Sequence, residues 1–262
     1  MQAHPDPPPA ESELFGPHFR RSIRWPAFVV LIILLTHFHQ VFFGWDPGAY
    51  GIMSRRMWGL RGILTGPMVH GSWEHLFSNI FPLFFLSALS LLFYRKVAMQ
   101  AFWAIYLLTG LTVWLFARPV SHIGASGVVY GLVAFIFWNG IFRRSMRSIV
   151  LAVIVLLLYS GMFMGILPKQ EGISWESHLF GGLVGILTAY WFKGVLEDEE
   201  AATAPYDPFA EERNAERQLF LPKDTFEKTK AQRQAEAEEA ARLRAEQNRD
   251  LYPPFWRSDG TW

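Results

Sequence analysis

The sequence predicts an all-α polytopic membrane protein with six transmembrane helices and a soluble C-terminal tail. Hydrophobic residues make up 51% of the chain and aromatic residues 16%, against 18% charged residues, which is too apolar for an ordinary soluble domain. The apolar residues come in blocks close to the roughly 20 residues that cross a bilayer. After Gly194 the composition changes to Glu, Ala, Arg and Gln. We therefore divide the chain into an N-terminal segment (1–24), a membrane domain (25–193) and a tail (194–262).

Charge and cysteine content exclude several functions. The formal net charge is +1, and the arginines lie in short clusters beside apolar blocks rather than on one basic face, which disfavours nucleic-acid binding. The chain has no cysteine, so disulfides, thiolate catalysis and cysteine-ligated metals are excluded. Residues 1–17 are polar and rich in proline, so we expect no cleaved signal peptide.

Six blocks have the length and composition of transmembrane helices. They are 25–44, 75–93, 98–116, 126–142, 149–167 and 174–192. The long connection between the first two, residues 45–74, is rich in glycine and aromatic residues, and we expect it to be folded.

The positive-inside rule favours cytoplasmic N- and C-termini, and we expect a bacterial inner membrane. The cations on the predicted inner side are Arg20, Arg21, Arg24, Arg95, Lys96, Arg143, Arg144 and Arg147. The cations on the outer side are Arg55, Arg56, Arg61, Arg118 and Lys169.

The tail is predicted to be a solvated helix or disordered, because its apolar positions are mostly alanine. Asp224, with Glu227 three residues later, is a candidate helix start. We expect the tail to supply neither catalytic residues nor part of the membrane core.

Polar groups inside spans are costly unless they are paired or hydrated, so each one is a candidate functional residue. His75 and Asn79 lie on one face at the start of the second span. Ser126 and Tyr130 lie on one face at the start of the fourth, and His178 lies at the start of the sixth. Because alternate spans run in the same direction, these side chains should lie at similar depth on one side of the membrane.

Two glycine pairs predict close contact between the fourth and sixth spans. Gly127 and Gly131 share a face of the fourth span, and Gly181 and Gly185 share a face of the sixth. Such a contact brings the serine and the histidine within hydrogen-bonding reach. Taken alone, the fourth-span segment is also explained as a packing stripe that happens to contain a serine.

Three motifs resemble the rhomboid family of intramembrane serine proteases. They are HGSWEHLFSN at 70–79, GASG at 124–127 and HLFG at 178–181, and the resemblance extends over 25–193. It implies a six-helix core, a Ser-His dyad without an acid, cleavage of substrate transmembrane segments near the membrane boundary, and no metal or other cofactor. Many rhomboids have an adjacent Trp-Arg pair in the first loop, whereas residues 58–62 read WGLRG.

The chemistry assigns a role to each polar residue. Ser126 is the candidate nucleophile and His178 its general base. Asn79, His75 and the backbone N–H of Ser126 are candidate oxyanion donors. Tyr130 is placed to pack on the His178 ring. Gly124, two residues before the serine, supports this segment.

Four other polar residues receive non-catalytic interpretations. Glu176 lies on a different helical face from the histidine that follows it, so we interpret it as an interfacial group and not as a catalytic acid. His37 and His39 are interpreted as structural or water-facing, and Asn139 as an interhelical hydrogen-bonding residue.

Two other functions remain open at this point. One is a proteolytically inactive rhomboid-like protein that binds membrane clients, and the other is a small-solute transporter. Retention of both the serine and the histidine disfavours the first, and a polar cluster at one face rather than at the midplane disfavours the second. The expected partners are membrane proteins with transmembrane segments and the lipid bilayer itself.

Overall fold

The computed structural model describes residues 16–168, 174–198, 200 and 229–251. Contacts divide the chain into two units, Met1–Ala204 and Pro205–Trp262. Most of the N-terminal segment, Lys169 and the candidate helix start at Asp224 and Glu227 lie outside the described residues.

In the described part of the first unit, six long helices occupy the six predicted spans. They are α1 (Pro17–Phe43), α2 (Trp73–Phe93), α3 (Ala98–Phe116), α4 (Ser126–Arg143), α5 (Met146–Tyr159) and α6 (Trp175–Phe192). The first five, with α5 extended to Ile166, are long and apolar enough to cross a membrane. Helix α6 falls short of that hydropathy because its first turn contains Glu176 and His178.

Two helix boundaries differ from the prediction by more than three residues. Helix α1 begins at Pro17 rather than at residue 25, with the proline in the first turn, where its missing N–H costs nothing. The fifth span is not one continuous α-helix: α5 ends at Tyr159, and a 3-10 helix follows over Ser160–Ile166. The apolar pattern continues through this change, so hydropathy could not reveal it.

Helix α4 is the centre of the bundle. It packs most extensively against α6, then α5, and also contacts α2 and α3. The α4–α6 contact runs along the two glycine pairs. A side chain at Gly181 would overlap the backbone of Gly127, and one at Gly185 would overlap the backbone of Gly131. The two helices therefore approach at backbone distance, as small residues at this spacing permit.

The first loop is folded, as predicted. It contains 3-10 helices at Pro47–Tyr50, Met57–Arg61 and Gly66–Met68, and a one-turn helix at Gly62–Thr65. Side chains of α3 bind its backbone: Trp114 Nε1 donates to Arg56 O at 2.9 Å.

The separated Trp and Arg of the first loop still meet. Trp58 and Arg61 lie three residues apart in a 3-10 helix, where such positions share a face. The Arg61 guanidinium lies 5.8 Å from the ring centroids of both Trp58 and Tyr50, and it donates to Ala49 O at 2.8 Å. The two side chains are therefore in contact although two residues separate them in the sequence.

A short antiparallel ladder joins the first loop to the segment before α4. Strand β1 (Ile52–Met53) pairs with β2 (Ser121–His122), with Ile52 opposite His122. This ladder fixes the loop at the end of the bundle where α2, α4 and α6 begin, which we call the site end.

The opposite, basic end of the bundle is closed by residues that were assigned to the tail. Glu200 is buried, accepts from Arg143 Nη1 at 2.7 Å, and also accepts from Ser145 and Ser148 at the start of α5. Burial alone would raise the pKa of Glu200, but hydrogen bonds from Ser148, Ser145, the Glu197 backbone and Arg143 lower it to about 2. Glu197 and Glu200, which follow α6, therefore pack on the membrane domain.

Asn139 near this end does not join two helices. Its amide donates to Phe135 O at 2.8 Å and its carbonyl accepts from Arg143 Nε at 2.9 Å, both within α4. The interhelical interpretation of Asn139 is therefore wrong.

The second unit contains helix α7 (Lys230–Leu251). Thr229 and Gln232 form a reciprocal pair at its start: the Gln232 N–H donates to Thr229 Oγ1 at 3.3 Å, and the Thr229 N–H donates to Gln232 Oε1 at 2.8 Å. This is a capping box, and it lies five residues after the Asp224 start that the sequence suggested.

Candidate active site

Ser126 is the first residue of α4, and its position is set by the backbone of the preceding loop. Gly124 has φ +95°, a conformation that side chains disfavour, and a Cβ there would lie 2.6 Å from His75 Nε2. The Gly124 N–H donates to Gly66 O at 2.9 Å. At a helix start, backbone N–H groups have no intrahelical carbonyl partner, so the Ser126 N–H is not used by the hydrogen bonds of α4.

His178 lies one turn into α6, directly opposite the serine. Its Nε2 lies 2.8 Å from Ser126 Oγ, and its Nδ1 lies 2.8 Å from Gly165 O. A carbonyl only accepts, so Nδ1 carries the proton in the neutral ring, and Nε2 is left to accept from the serine hydroxyl. Ser126 is half-buried and His178 is buried.

Tyr130 lies flat against the histidine. The two ring centroids are 4.1 Å apart with an interplanar angle of 8°. The Tyr130 hydroxyl donates to Met162 O at 2.6 Å, which ties α4 to the 3-10 helix after α5. A side chain at Gly165 would overlap that hydroxyl, so the close approach of this 3-10 helix requires glycine there.

His75 and Asn79 also lie in this region, and they make different contacts. The His75 ring lies against Gly124, two residues before the serine. The Asn79 amide donates to His75 O at 2.6 Å and lies 3.5 Å from Ser78 Oγ. One Asn79 N–H is therefore already used within α2. The structure places the four predicted polar side chains at one end of the bundle, while their individual roles remain predictions.

Comparison with known proteins identifies the fold. The chain matches the Rhomboid domain over residues 55–194, just over half of its 262 residues. The chain belongs to the rhomboid family. Rhomboid proteins are generally intramembrane serine proteases, and the apolar helices agree with an integral membrane protein.

This rhomboid has mycobacterial relatives. Uncharacterized proteins of Mycobacterium tuberculosis (strain H37Rv) and Mycobacterium bovis are each 34% identical to it over 172 residues, 62% of this chain and 71% of theirs. An uncharacterized protein of Mycobacterium leprae is 32% identical over 140 residues, 50% of this chain and 55% of its own. The names of these relatives assign no activity to them.

Behind the serine, this rhomboid has a buried histidine whose role the sequence did not suggest. His70 Nε2 accepts from the Ala125 N–H at 3.4 Å, and Gln40 Nε2 of α1 donates to His70 O at 2.7 Å. Burial lowers the pKa of His70 to about 3, with smaller contributions from His75 and His37, so its ring is neutral and able to accept. His70 therefore supports the loop that delivers Ser126.

The structure also places the polar residues that received non-catalytic interpretations. His37 is buried against Trp73, with ring centroids 4.6 Å apart, which agrees with a structural role. His39 is exposed and contacts Trp45. Glu176 is buried and paired with Arg118, and it does not bond to His178. In the described part of the chain, no group of three or more His, Asp or Glu side chains is placed to hold a metal ion.

The features that sequence reasoning missed are mainly backbone groups. Gly165 O and Met162 O orient His178 and Tyr130, yet any residue has a carbonyl. Gly165 was the one sequence signal for this close backbone approach, and no recognisable motif surrounds it.

Proposed function

We propose that this rhomboid is an intramembrane serine endopeptidase that cleaves transmembrane segments of membrane-protein substrates. One observation carries the proposal: Ser126 Oγ lies 2.8 Å from His178 Nε2, while the other ring nitrogen is held by Gly165 O. A serine hydroxyl is a weak nucleophile and needs a base at this distance.

The proposed reaction follows from the two nitrogen positions. As Ser126 Oγ attacks the substrate carbonyl carbon, His178 Nε2 takes the hydroxyl proton. The imidazolium then gives that proton to the leaving amine nitrogen as the peptide bond breaks, which leaves an acyl ester on Ser126. Water, activated by the same nitrogen, hydrolyses the ester and restores the hydroxyl.

The negative oxygen of each tetrahedral intermediate needs hydrogen-bond donors. The Ser126 N–H at the start of α4 is one, and the positive end of the helix dipole supports it. The His75 ring beside Gly124 is a second. Asn79 is the third, through the amide hydrogen not bonded to His75 O.

The location of the dyad fits substrates that enter from the bilayer. Both dyad residues lie in the first turns of helices that begin at the site end. A substrate peptide bond would therefore be cut close to the end of its own transmembrane segment, where water needed for hydrolysis is near. The same one-ended placement argues against a transporter, whose substrate site lies near the midplane.

A test needs a serine control that lies away from the dyad. We would treat detergent-purified protein with a fluorophosphonate probe, and incubate it with a panel of single-span membrane proteins. The variants are Ser126→Ala and, as the matched control, Ser90→Ala, which changes a buried serine in the last turns of α2. Labelling and cleavage should be lost in Ser126→Ala and kept in Ser90→Ala. Cleavage by folded Ser126→Ala would remove the serine from the mechanism. Absence of labelling and cleavage in the wild type would favour the client-binding alternative.

A further inference from the structure

A set of polar side chains on the far side of α6 from the dyad joins this helix to the segment that leads to Ser126. Its members are Arg118 and His122 from that segment and Ser174, Glu176 and Ser177 from the start of α6. We call them the loop–helix network. None of them has a role in the proposed reaction.

The charged part of the network is a two-point ion pair. Arg118 Nε donates to Glu176 Oε1, and Arg118 Nη2 donates to Glu176 Oε2 at 3.1 Å. The Glu176 side chain is 4% exposed and the Arg118 side chain 56%. The arginine therefore reaches in from the surface to satisfy a buried carboxylate. A planar guanidinium that binds both oxygens fixes direction as well as distance.

The neutral part is a hydrogen-bond chain with one consistent direction. Burial lowers the pKa of His122, which favours its neutral ring. In that ring, Nε2–H donates to Arg118 O at 3.0 Å, so Nδ1 accepts from Ser174 Oγ at 2.6 Å. Since the Ser174 hydroxyl has one hydrogen, the Ser177 hydroxyl donates to Ser174 at 2.6 Å. These hydrogen bonds connect Ser177 through Ser174 and His122 to the backbone of Arg118.

The loop–helix network and the dyad lie on opposite sides of α6. Glu176 precedes His178 by two residues, and two helical residues span about 200°, so the two side chains leave α6 on nearly opposite sides. Arg118 and His122 precede Ser126 by eight and four residues in a segment also bonded to β1 and to Gly66. The network and the Ser126–His178 bond thus join the same two pieces of chain from two sides.

We propose that Arg118 and Glu176 are positioning residues that fix the rotation and height of α6, and so the distance from His178 Nε2 to Ser126 Oγ. The inference rests on the proposed function, and it adds a specific pair that acts on the dyad without touching it. Losing this pair leaves both dyad side chains in place while their alignment loosens. A displacement of about 1 Å in a reacting group costs on the order of a hundredfold in rate.

The molecule contains a matched control pair. Arg143 and Glu200 form a second Arg–Glu pair with a buried carboxylate, at the basic end, with 0% and 6% side-chain exposure. The test compares Glu176→Gln with Glu200→Gln in the full chain, using thermal unfolding and the rate of Ser126 labelling by a fluorophosphonate. A glutamine keeps the shape of the side chain but removes the charge, so each variant replaces a charged arginine–carboxylate pair by a neutral one.

Both variants should unfold at a lower temperature, and only Glu176→Gln should label slowly, by about ten- to a hundredfold per folded molecule. For peptide substrates, kcat should fall with little change in KM. If Glu176→Gln does not fold, Arg118→Lys provides the same measurement, because it changes an exposed side chain and keeps the charge. The exchanged pair, Arg118→Glu with Glu176→Arg, should recover part of the labelling rate.

The outcomes separate the two proposals. A wild-type protein that neither labels nor cleaves would contradict the proposed function itself. If the wild type labels and Glu176→Gln or Arg118→Lys labels at the wild-type rate, the dyad stands and the positioning role is wrong. Equal slowing in Glu176→Gln and Glu200→Gln would show a general loss of stability and would also overturn the inference.

Discussion

Replacing Gly181 by alanine tests whether the contact between α4 and α6 controls the distance within the dyad. Gly181 lies three residues after His178, on the face of α6 that meets α4. Its neighbour Gly182 has nothing within 4 Å of an added Cβ. Gly181→Ala and Gly182→Ala therefore add the same methyl group to adjacent positions of one helix, one against backbone and one in open space.

The size of the effect follows from the geometry. A Cβ at Gly181 would lie 2.9 Å from the carbonyl carbon of Gly127 and closer to its oxygen. Non-bonded carbons prefer about 3.5–4.0 Å, so α4 and α6 must separate by roughly 1 Å. Such overpacking costs about 1–3 kcal/mol, whereas the gain in helix propensity, about 1 kcal/mol, is shared by both variants. We expect Gly181→Ala to be less stable than Gly182→Ala by about 1–3 kcal/mol and to label on the order of a hundredfold more slowly.

The assay is paired thermal unfolding and fluorophosphonate labelling of the two variants in one detergent. Cleavage of any substrate found in the panel should follow the labelling rate. Equal stability and equal labelling in the two variants would refute the claim that the glycine contact determines the spacing between Ser126 and His178.

Further variants also have expected outcomes. Asn79→Ala should lower the cleavage rate by at most about a hundred- to a thousandfold, the effect of losing one oxyanion donor, and Ser126 labelling should stay detectable; full wild-type cleavage would remove Asn79 from the site. Tyr130→Phe should cost about 0.5–1.5 kcal/mol through the lost bond to Met162 O, with labelling near wild type because the ring contact remains; a large rate loss would show that the hydroxyl acts in the reaction. Removing residues 195–262 should destabilise the protein by about 3–5 kcal/mol because Arg143 loses Glu200, while removing residues 205–262 should not. Because the folded pKa of Glu200 lies below its ordinary value of 4.5, its contribution is complete above that pH and is lost as pH falls towards about 2; unfolding curves of Glu200→Gln should lack this acid dependence.

The convergence of the polar residues was predictable because few physical rules decide it. Alternate spans run in the same direction, so polar groups in the first turns of α2, α4 and α6 must meet one membrane face. Glycines at a spacing of four then permit the backbone contact that the structure has between α4 and α6. Residue type and order along the chain are therefore enough to predict that Ser126 lies beside His178.

Features that depend on the backbone or on long-range charge pairing were not predictable. The partner of His178 Nδ1 is a main-chain carbonyl, which no residue type marks. Glu176 and Arg118 are 58 residues apart, and each taken alone resembles an ordinary group at the membrane surface. Glu200 resembles the charged sequence that follows it, because composition does not record which acidic residue has a buried arginine partner.

Among the residues that the structure describes, the ring of His178 bonds to a carbonyl and to the serine and not to a carboxylate, and this has a physical basis. A carboxylate in a weakly polar site would need its own compensating partner, and Glu176, two residues before His178, is already paired with Arg118. A carbonyl such as Gly165 O selects the same histidine tautomer without adding a charge. What the carbonyl does not supply is full stabilisation of the imidazolium that forms during attack. The parallel ring of Tyr130 at 4.1 Å supplies part of that, because a cation over an aromatic face is attracted to it. In the proposed mechanism, a backbone carbonyl and a tyrosine ring thus divide between them the orienting and charge-stabilising roles that one aspartate performs in a triad.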